Sequence, residues 1–130
     1  SSMEEISYII MGIGVNVKTK QEELPEEIKQ IATSLLMEGV DIERTEAFKI
    51  ILEELEHQYY DVLDSGFEDT LNEWRKLSVT LNQEIEVRAP GNTYEGVATD
   101  IDDDGNLLVK TTNGEVKRIV AGDVSIRPRK

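Results

Sequence analysis

The stretch from Tyr8 to Val17, Tyr-Ile-Ile-Met-Gly-Ile-Gly-Val-Asn-Val, constrains the fold more than any other part of the chain. It is apolar and β-branched, and acidic residues precede it. In a helix interior each of its two glycines would cost about 1 kcal/mol. The stretch therefore predicts a strand buried on both faces. Gly12 and Gly14 then point the same way and leave one face without side chains, and Asn16 falls on that face. Bare backbone of this kind lets another chain or a flat ligand come close. The same residues also admit a plainer reading, in which the glycines allow close helix packing and Asn16 opens a turn.

Three helices are expected next. Pro25, Glu26 and Glu27 suit a helix start, Ile28, Ile31, Ala32, Leu35 and Leu36 recur at helical spacing, and Gly39 supplies the stop. Thr45 reads as the cap of a second helix with an apolar stripe of Phe48, Ile51, Leu52, Leu55, Tyr59 and Val62. Ser65 and Glu68 have capping-box spacing for a third, on which Phe67, Leu71 and Trp74 share a face.

Near Leu77 to Asn82 the apolar period drops to two. Strands are predicted around Ile85–Val87, Tyr94–Ile101, Leu107–Thr111, Glu115–Val120 and Val124–Ile126. Ala89 to Asn92 forms a turn, Gly96 marks a bulge, and Asn113-Gly114 predicts a type I′ hairpin turn. Five short strands joined by tight turns suggest a small SH3-like barrel. The fold class expected is α+β: one sheet strand and three helices over residues 1–79, then the barrel over 80–130.

Composition narrows the function. The net charge is −13. Residues 1–79 hold 7 basic against 18 acidic side chains, and residues 80–130 hold 7 against 9. Such acidity argues against nucleic-acid contact, which draws affinity from basic groups on phosphates. Cysteine is absent, so disulfides and thiolate chemistry are excluded, which fits a cytoplasmic protein. The apolar run near the start is too short to span a bilayer, and no signal peptide is visible. Ser1-Ser2-Met3 could be native or left from cloning. His57, the single histidine, sits off its helix's stripe and reads as a surface residue; a zinc site would want several ligands. Asp100-x-Asp102-x-Asp104-Gly105 copies the first half of an EF-hand loop, but Thr111 stands where the bidentate glutamate belongs. Calcium is not expected.

The last stretch is Ala121-Gly122-Asp123-Val124-Ser125-Ile126-Arg127. Taken with Gly12-Ile13-Gly14-Val15-Asn16, Leu77-Ser78-Val79-Thr80 and Gly105-x-Leu107-Leu108-Val109, it makes the chain resemble the C-terminal part of a bacterial biotin protein ligase, some members of which are bifunctional ligases and biotin operon repressors. In that family a Gly-x-Gly-x-Asn strand closes the catalytic sheet, helices follow, and an SH3-like barrel ends in a Gly-Asp/Glu-Val/Ile-Ser-x-Arg stretch.

The resemblance implies roles. Asn16 matches an asparagine beside the nucleotide, Gly12 and Gly14 match glycines near the biotin and adenylate pocket, and Asp123 and Arg127 match barrel residues that reach toward ATP. An arginine suits that task through its bidentate fork; an Asp123–Arg127 ion pair within the barrel is the structural alternative. The family makes biotinyl-5′-adenylate from biotin and ATP, with Mg2+ expected alongside, and passes biotin to a lysine of a carboxylase's biotin carboxyl carrier domain. Its glycine- and arginine-rich loop and its central lysine find no match here, nor does a DNA-binding domain. The expectation is therefore a fragment, inactive alone, with no catalytic residue and no metal ligand of its own. Its unpaired sheet edge would favour a homodimer. The competing expectation is a freestanding SH3-like module that binds a protein or peptide.

Overall fold

The computed structural model describes residues 7–120 and 122–126. Arg127, one of the expected site residues, lies outside them. The chain divides into two compact units, Ser1–Glu56 and His57–Lys130.

In the first unit the expected strand over residues 8–17 does not form: the segment is extended and without ladder partners among the described residues. A strand exists only where a second chain accepts its hydrogen bonds. Only its end is tied down, where the Leu35 and Leu36 amides donate to the carbonyls of Asn16 and Val17 at 2.9 and 3.0 Å. Those bonds also explain why the expected helix over Pro25–Glu38 is replaced by a run of turns. Ser34, buried, donates from Oγ to the Thr19 carbonyl at 2.5 Å and accepts the Met37 amide at 3.1 Å. A serine that satisfies backbone groups locally competes with the helix ladder, and here it starts a new turn. A 3-10 turn, Gln21–Glu23, precedes this region.

Helix α1 runs Arg44–Ser65 and α2 runs Glu68–Leu77. The start at Arg44 puts Thr45 inside α1 rather than at its cap. At α2 the cap position is Phe67 and makes no side-chain cap bond, so Ser65 and Glu68 form no capping box. Ser65 instead ends α1, with Gly66 beyond it at φ +78°. The α1 stripe is present, but Phe48, Leu52 and Tyr59 on it are exposed.

The second unit also holds a five-stranded antiparallel sheet: β1 Glu84–Ala89, β2 Asn92–Ile101, β3 Leu107–Thr111, β4 Val116–Ile119 and β5 Asp123–Ile126. Three hairpins connect β1 to β4, and β5 returns to pair with β1, giving the order β4-β3-β2-β1-β5. Ile85, Val87, Ala98 and Val109 are fully buried and form the core, with Leu81, Tyr94, Leu107 and Ile119 packed against them.

The bulge lies not at Gly96 but at Thr99, where the register shifts between Ala98 and Asp100. It reverses the inside–outside alternation, so Ile101 is buried and Asp100 is left partly exposed. The β3–β4 turn is not type I′. Only Gly114 has positive φ there (+85°); the Gly114 amide donates to the Thr111 carbonyl at 2.9 Å, and the Thr111 amide to that of Glu115 at 2.8 Å. This is a three-residue loop closed by an αL glycine.

Candidate functional site

Gly12, Gly14 and Asn16 share the extended segment of the first unit. A Cβ built on either glycine meets nothing within 4 Å, so both positions are open, although no strand forms to make of them the buried bare face that the sequence predicts. Asn16 does not hang free: its Nδ2 donates to the Thr33 carbonyl at 3.1 Å. With its own carbonyl receiving the Leu35 amide, Asn16 is clamped to the turn region on two sides. Its Oδ1 accepts no hydrogen bond among the described residues.

Met11, Ile13, Gly14, Val15 and Val17 line a cleft of about 890 Å³ together with Phe48, Ile51, Leu52 and Leu55 of α1. The cleft is apolar apart from Arg44 and Thr45. Sequence reasoning missed Arg44, although a signal was there: a cation in a helix's first turn opposes the helix dipole. Among the described residues its guanidinium has no ion-pair partner. The nearby positive charge that is paired is Lys18, whose Nζ lies 2.5 Å from Glu43 and 3.8 Å from Asp41. The Glu43 hydrogen bond, opposed by some desolvation, holds its pKa above the ordinary lysine value.

Asp123 lies in the second unit, where it opens β5, exposed and opposite Arg88 in the ladder. The two are not an ion pair; Arg88 Nε bonds Glu86 at 2.7 Å instead. Gly122 before it has φ +135°, and a Cβ there would sit 2.8 Å from the Arg88 carbonyl oxygen. The glycine of the Gly-Asp-Val-Ser motif is thus required by the approach of β5 to β1.

The aspartates of the β2–β3 turn serve the turn itself. Asp102 Oδ1 accepts the amides of Asp104 and Asn106 at 3.0 and 2.8 Å, and Oδ2 accepts Asn106 Nδ2 at 3.2 Å. Partial burial pushes its carboxyl up, but the Asn106 and Asp104 bonds, with Arg118 nearby, outweigh it and hold its pKa low. Among the described residues no group of three or more His, Cys, Asp or Glu could hold a metal ion, and no helix is long and apolar enough to cross a membrane.

Residues 80–127 match the family described as the biotin protein ligase C terminal domain. Across 124 residues, 95% of this chain, the sequence is 32% identical to the bifunctional ligase/repressor BirA of Bacillus spizizenii, and equally to that of Bacillus subtilis. The chain spans 38% of the length of each. The apo structure of a biotin protein ligase from Aquifex aeolicus superposes with a TM-score of 0.74 at 24% identity, covering 88% of this chain and 50% of that one. The same enzyme in complex with biotin and ATP gives 0.72, covering 88% and 48%. At that identity the structural likeness speaks for the fold alone, but the sequence likeness runs nearly end to end. Residues 80–127 thus carry the biotin protein ligase C terminal domain, and nearly end to end the chain is similar to a part of the bifunctional ligase/repressors.

Proposed function

We propose that this chain is the nucleotide-side portion of a biotin protein ligase, an enzyme that makes biotinyl-5′-adenylate from biotin and ATP and transfers biotin to a lysine of a carboxylase carrier domain. On this reading residues 1–79 complete a catalytic domain, and residues 80–130 are an SH3-like barrel whose closure goes beyond the five-strand ladder described above. The observation that carries the reading is the match of residues 80–127 to the family's C-terminal domain, within a likeness covering 95% of the chain. That the Aquifex aeolicus ligase has been seen with biotin and ATP supports those two substrates.

The residues fit this assignment. The open backbone at Gly12 and Gly14 would accept a flat ligand, and Asn16, held rigid by Thr33, has Oδ1 left to meet one. ATP supplies the activating adenylyl group when bound; the chain's part is to position it. Asp123 and Arg127 would meet the nucleotide from the barrel, Arg127 through a charge-assisted fork. Mg2+ would arrive on the phosphates of ATP, as it usually does in nucleotide sites.

Mass spectrometry of a purified carrier domain after incubation with biotin and MgATP tests the proposal. The longer protein that contains this chain should add one biotinyl group to the carrier, and residues 1–130 alone should add none. In the longer protein Arg127→Ala should weaken ATP binding roughly tenfold to a hundredfold and leave biotin binding nearly intact. A longer protein that leaves the carrier unmodified would overturn the assignment, as would transfer by residues 1–130 alone.

A further inference from the structure

The second unit contains a groove that the ligase assignment does not use. Its one wall is Phe67 at the cap of α2 with Thr70, Leu71 and Trp74 of the helix; the other is Ile101 with the β2–β3 turn at Asp103, Asp104 and Gly105. Its volume is about 500 Å³, within the range of pockets that hold small ligands or side chains. Phe67 is 60% and Trp74 42% exposed. Exposed aromatics framing a concave surface mark binding sites more often than they arise by accident.

The charge at the rim says what fits. Asp100 is engaged by Arg75, and Asp102 by the turn amides and Arg118, whereas Asp103 and Asp104 have no ion-pair partner among the described residues. An occupant must therefore bring apolar bulk for the aromatics and a cation for the two carboxylates. Lysine and arginine side chains combine these, with a stem that packs on an indole and a head that reaches acids. A second copy of this chain is a poor occupant, since two chains of charge −13 repel. Nucleic acid and anionic lipid are disfavoured on the same ground.

We propose that the groove between α2 and the β2–β3 turn docks a segment of a partner protein in which lysine or arginine alternates with large aliphatic residues. The proposal is independent of the ligase reading.

Trp74 is the chain's single tryptophan, so its fluorescence reports on the groove directly. The probe is a capped tetrapeptide, Leu-Lys-Leu-Lys, with Leu-Glu-Leu-Glu as its counterpart, titrated into the 130-residue chain. A saturable emission change is expected with the lysine peptide only, with amide shifts in NMR spectra confined to residues such as Thr70, Ile101 and Gly105. The double variant Asp103→Asn/Asp104→Asn should weaken binding about three- to tenfold, as for two solvent-exposed charge pairs. Added salt should weaken the unmodified protein's binding in the same direction. No saturable change up to millimolar peptide overturns the proposal, as does equal binding of the glutamate peptide. Unchanged affinity in both the double variant and high salt does so too. A Trp74 change that grows with protein concentration alone, with dimers in sedimentation, would make a second copy the occupant and likewise overturn it.

Discussion

Gly96 and Gly122 are glycines for different physical reasons, and both reasons are testable. Gly96 has ordinary backbone geometry, but a Cβ there would lie 2.6 Å from both the Lys110 carbonyl oxygen and Val109 Cγ1. The core has no room for even one methyl group, because Val109 is fully buried and the obstructing oxygen belongs to backbone. Gly96→Ala should cost about 1–3 kcal/mol through overpacking. Gly122 faces a double obstacle, a φ of +135° and the Arg88 carbonyl at 2.8 Å. Gly122→Ala should cost a similar amount and should also loosen β5, the strand that presents Asp123. Urea unfolding of the two variants checks both; wild-type stability in Gly122→Ala would mean that β5 contributes little to the sheet. The motif glycine was legible in the sequence, but its cause was not. Positive φ and the closeness of Arg88, 34 residues earlier in the chain, leave no local signature.

At the level of elements, Arg75 makes the hydrogen bonds that tie α2 to the sheet among the described residues. Arg75 Nε bonds Asp100 Oδ1 at 2.8 Å, Nη2 the Ile101 carbonyl at 3.0 Å and Nη1 Asn72 Oδ1 at 2.8 Å. The β2 bulge makes this possible by turning Asp100 outward. Because the pair is partly exposed, Arg75→Ala should cost only about 1 kcal/mol, and Arg75→Lys should recover part of it, since one ammonium cannot reach three acceptors. The Arg75 hydrogen bond, helped by the Ile101 amide, holds the Asp100 carboxyl below its ordinary 3.8. A lowered carboxylate pKa stabilises the fold above about 3.8, and the contribution is lost as pH falls through the folded value. Thermal melts from pH 5 downward should therefore show a steeper acid loss in the parent than in Arg75→Ala; parallel curves would mean that the pair is not formed in solution. How much could be read in advance differs by element. Each sheet strand was legible because alternation and turn residues are local, and Pro90-Gly91 and Asn113-Gly114 mark real turns even though the second has another type. The Pro25–Glu38 helix was not, since Ser34 and the Asn16 and Val17 carbonyls compete for its backbone groups, nor was the capping box, since α1 runs on through Ser65. Of the candidate site, the open positions at Gly12 and Gly14 were read as one face of a strand that does not form, and the Asn16–Thr33 bond and Arg44 were not foreseen.

Over the whole molecule, burial is uneven, and the unevenness should be visible in unfolding. Among the described residues the first unit buries only Leu24, Ala47 and Ser34, while Tyr8, Ile9, Ile10, Met11 and Ile13 stand more than half exposed. The second unit has a contiguous core of Ile85, Val87, Ala98 and Val109, with Ile101 also buried. At about 25 cal/mol per Å² of apolar surface removed from water, exposed isoleucines contribute little to holding a fold together. The segment 8–15 also makes no backbone hydrogen bonds among the described residues. Local opening there should need far less free energy than opening the sheet. In native-state hydrogen exchange, amides of residues 8–15 should exchange much faster than those of the β3–β4 hairpin at 107–119. In urea, the helical circular dichroism should begin to fall before Trp74 emission, because Trp74 reports only the second unit, whereas α1 begins in the first. Non-coincident curves are the signature of more than one cooperative unit. Coincident curves, or slower exchange at residues 8–15 than at 107–119, would show that the segment is anchored in solution by contacts that the bare glycines and exposed isoleucines do not reveal, and the open face would then be unavailable to a ligand.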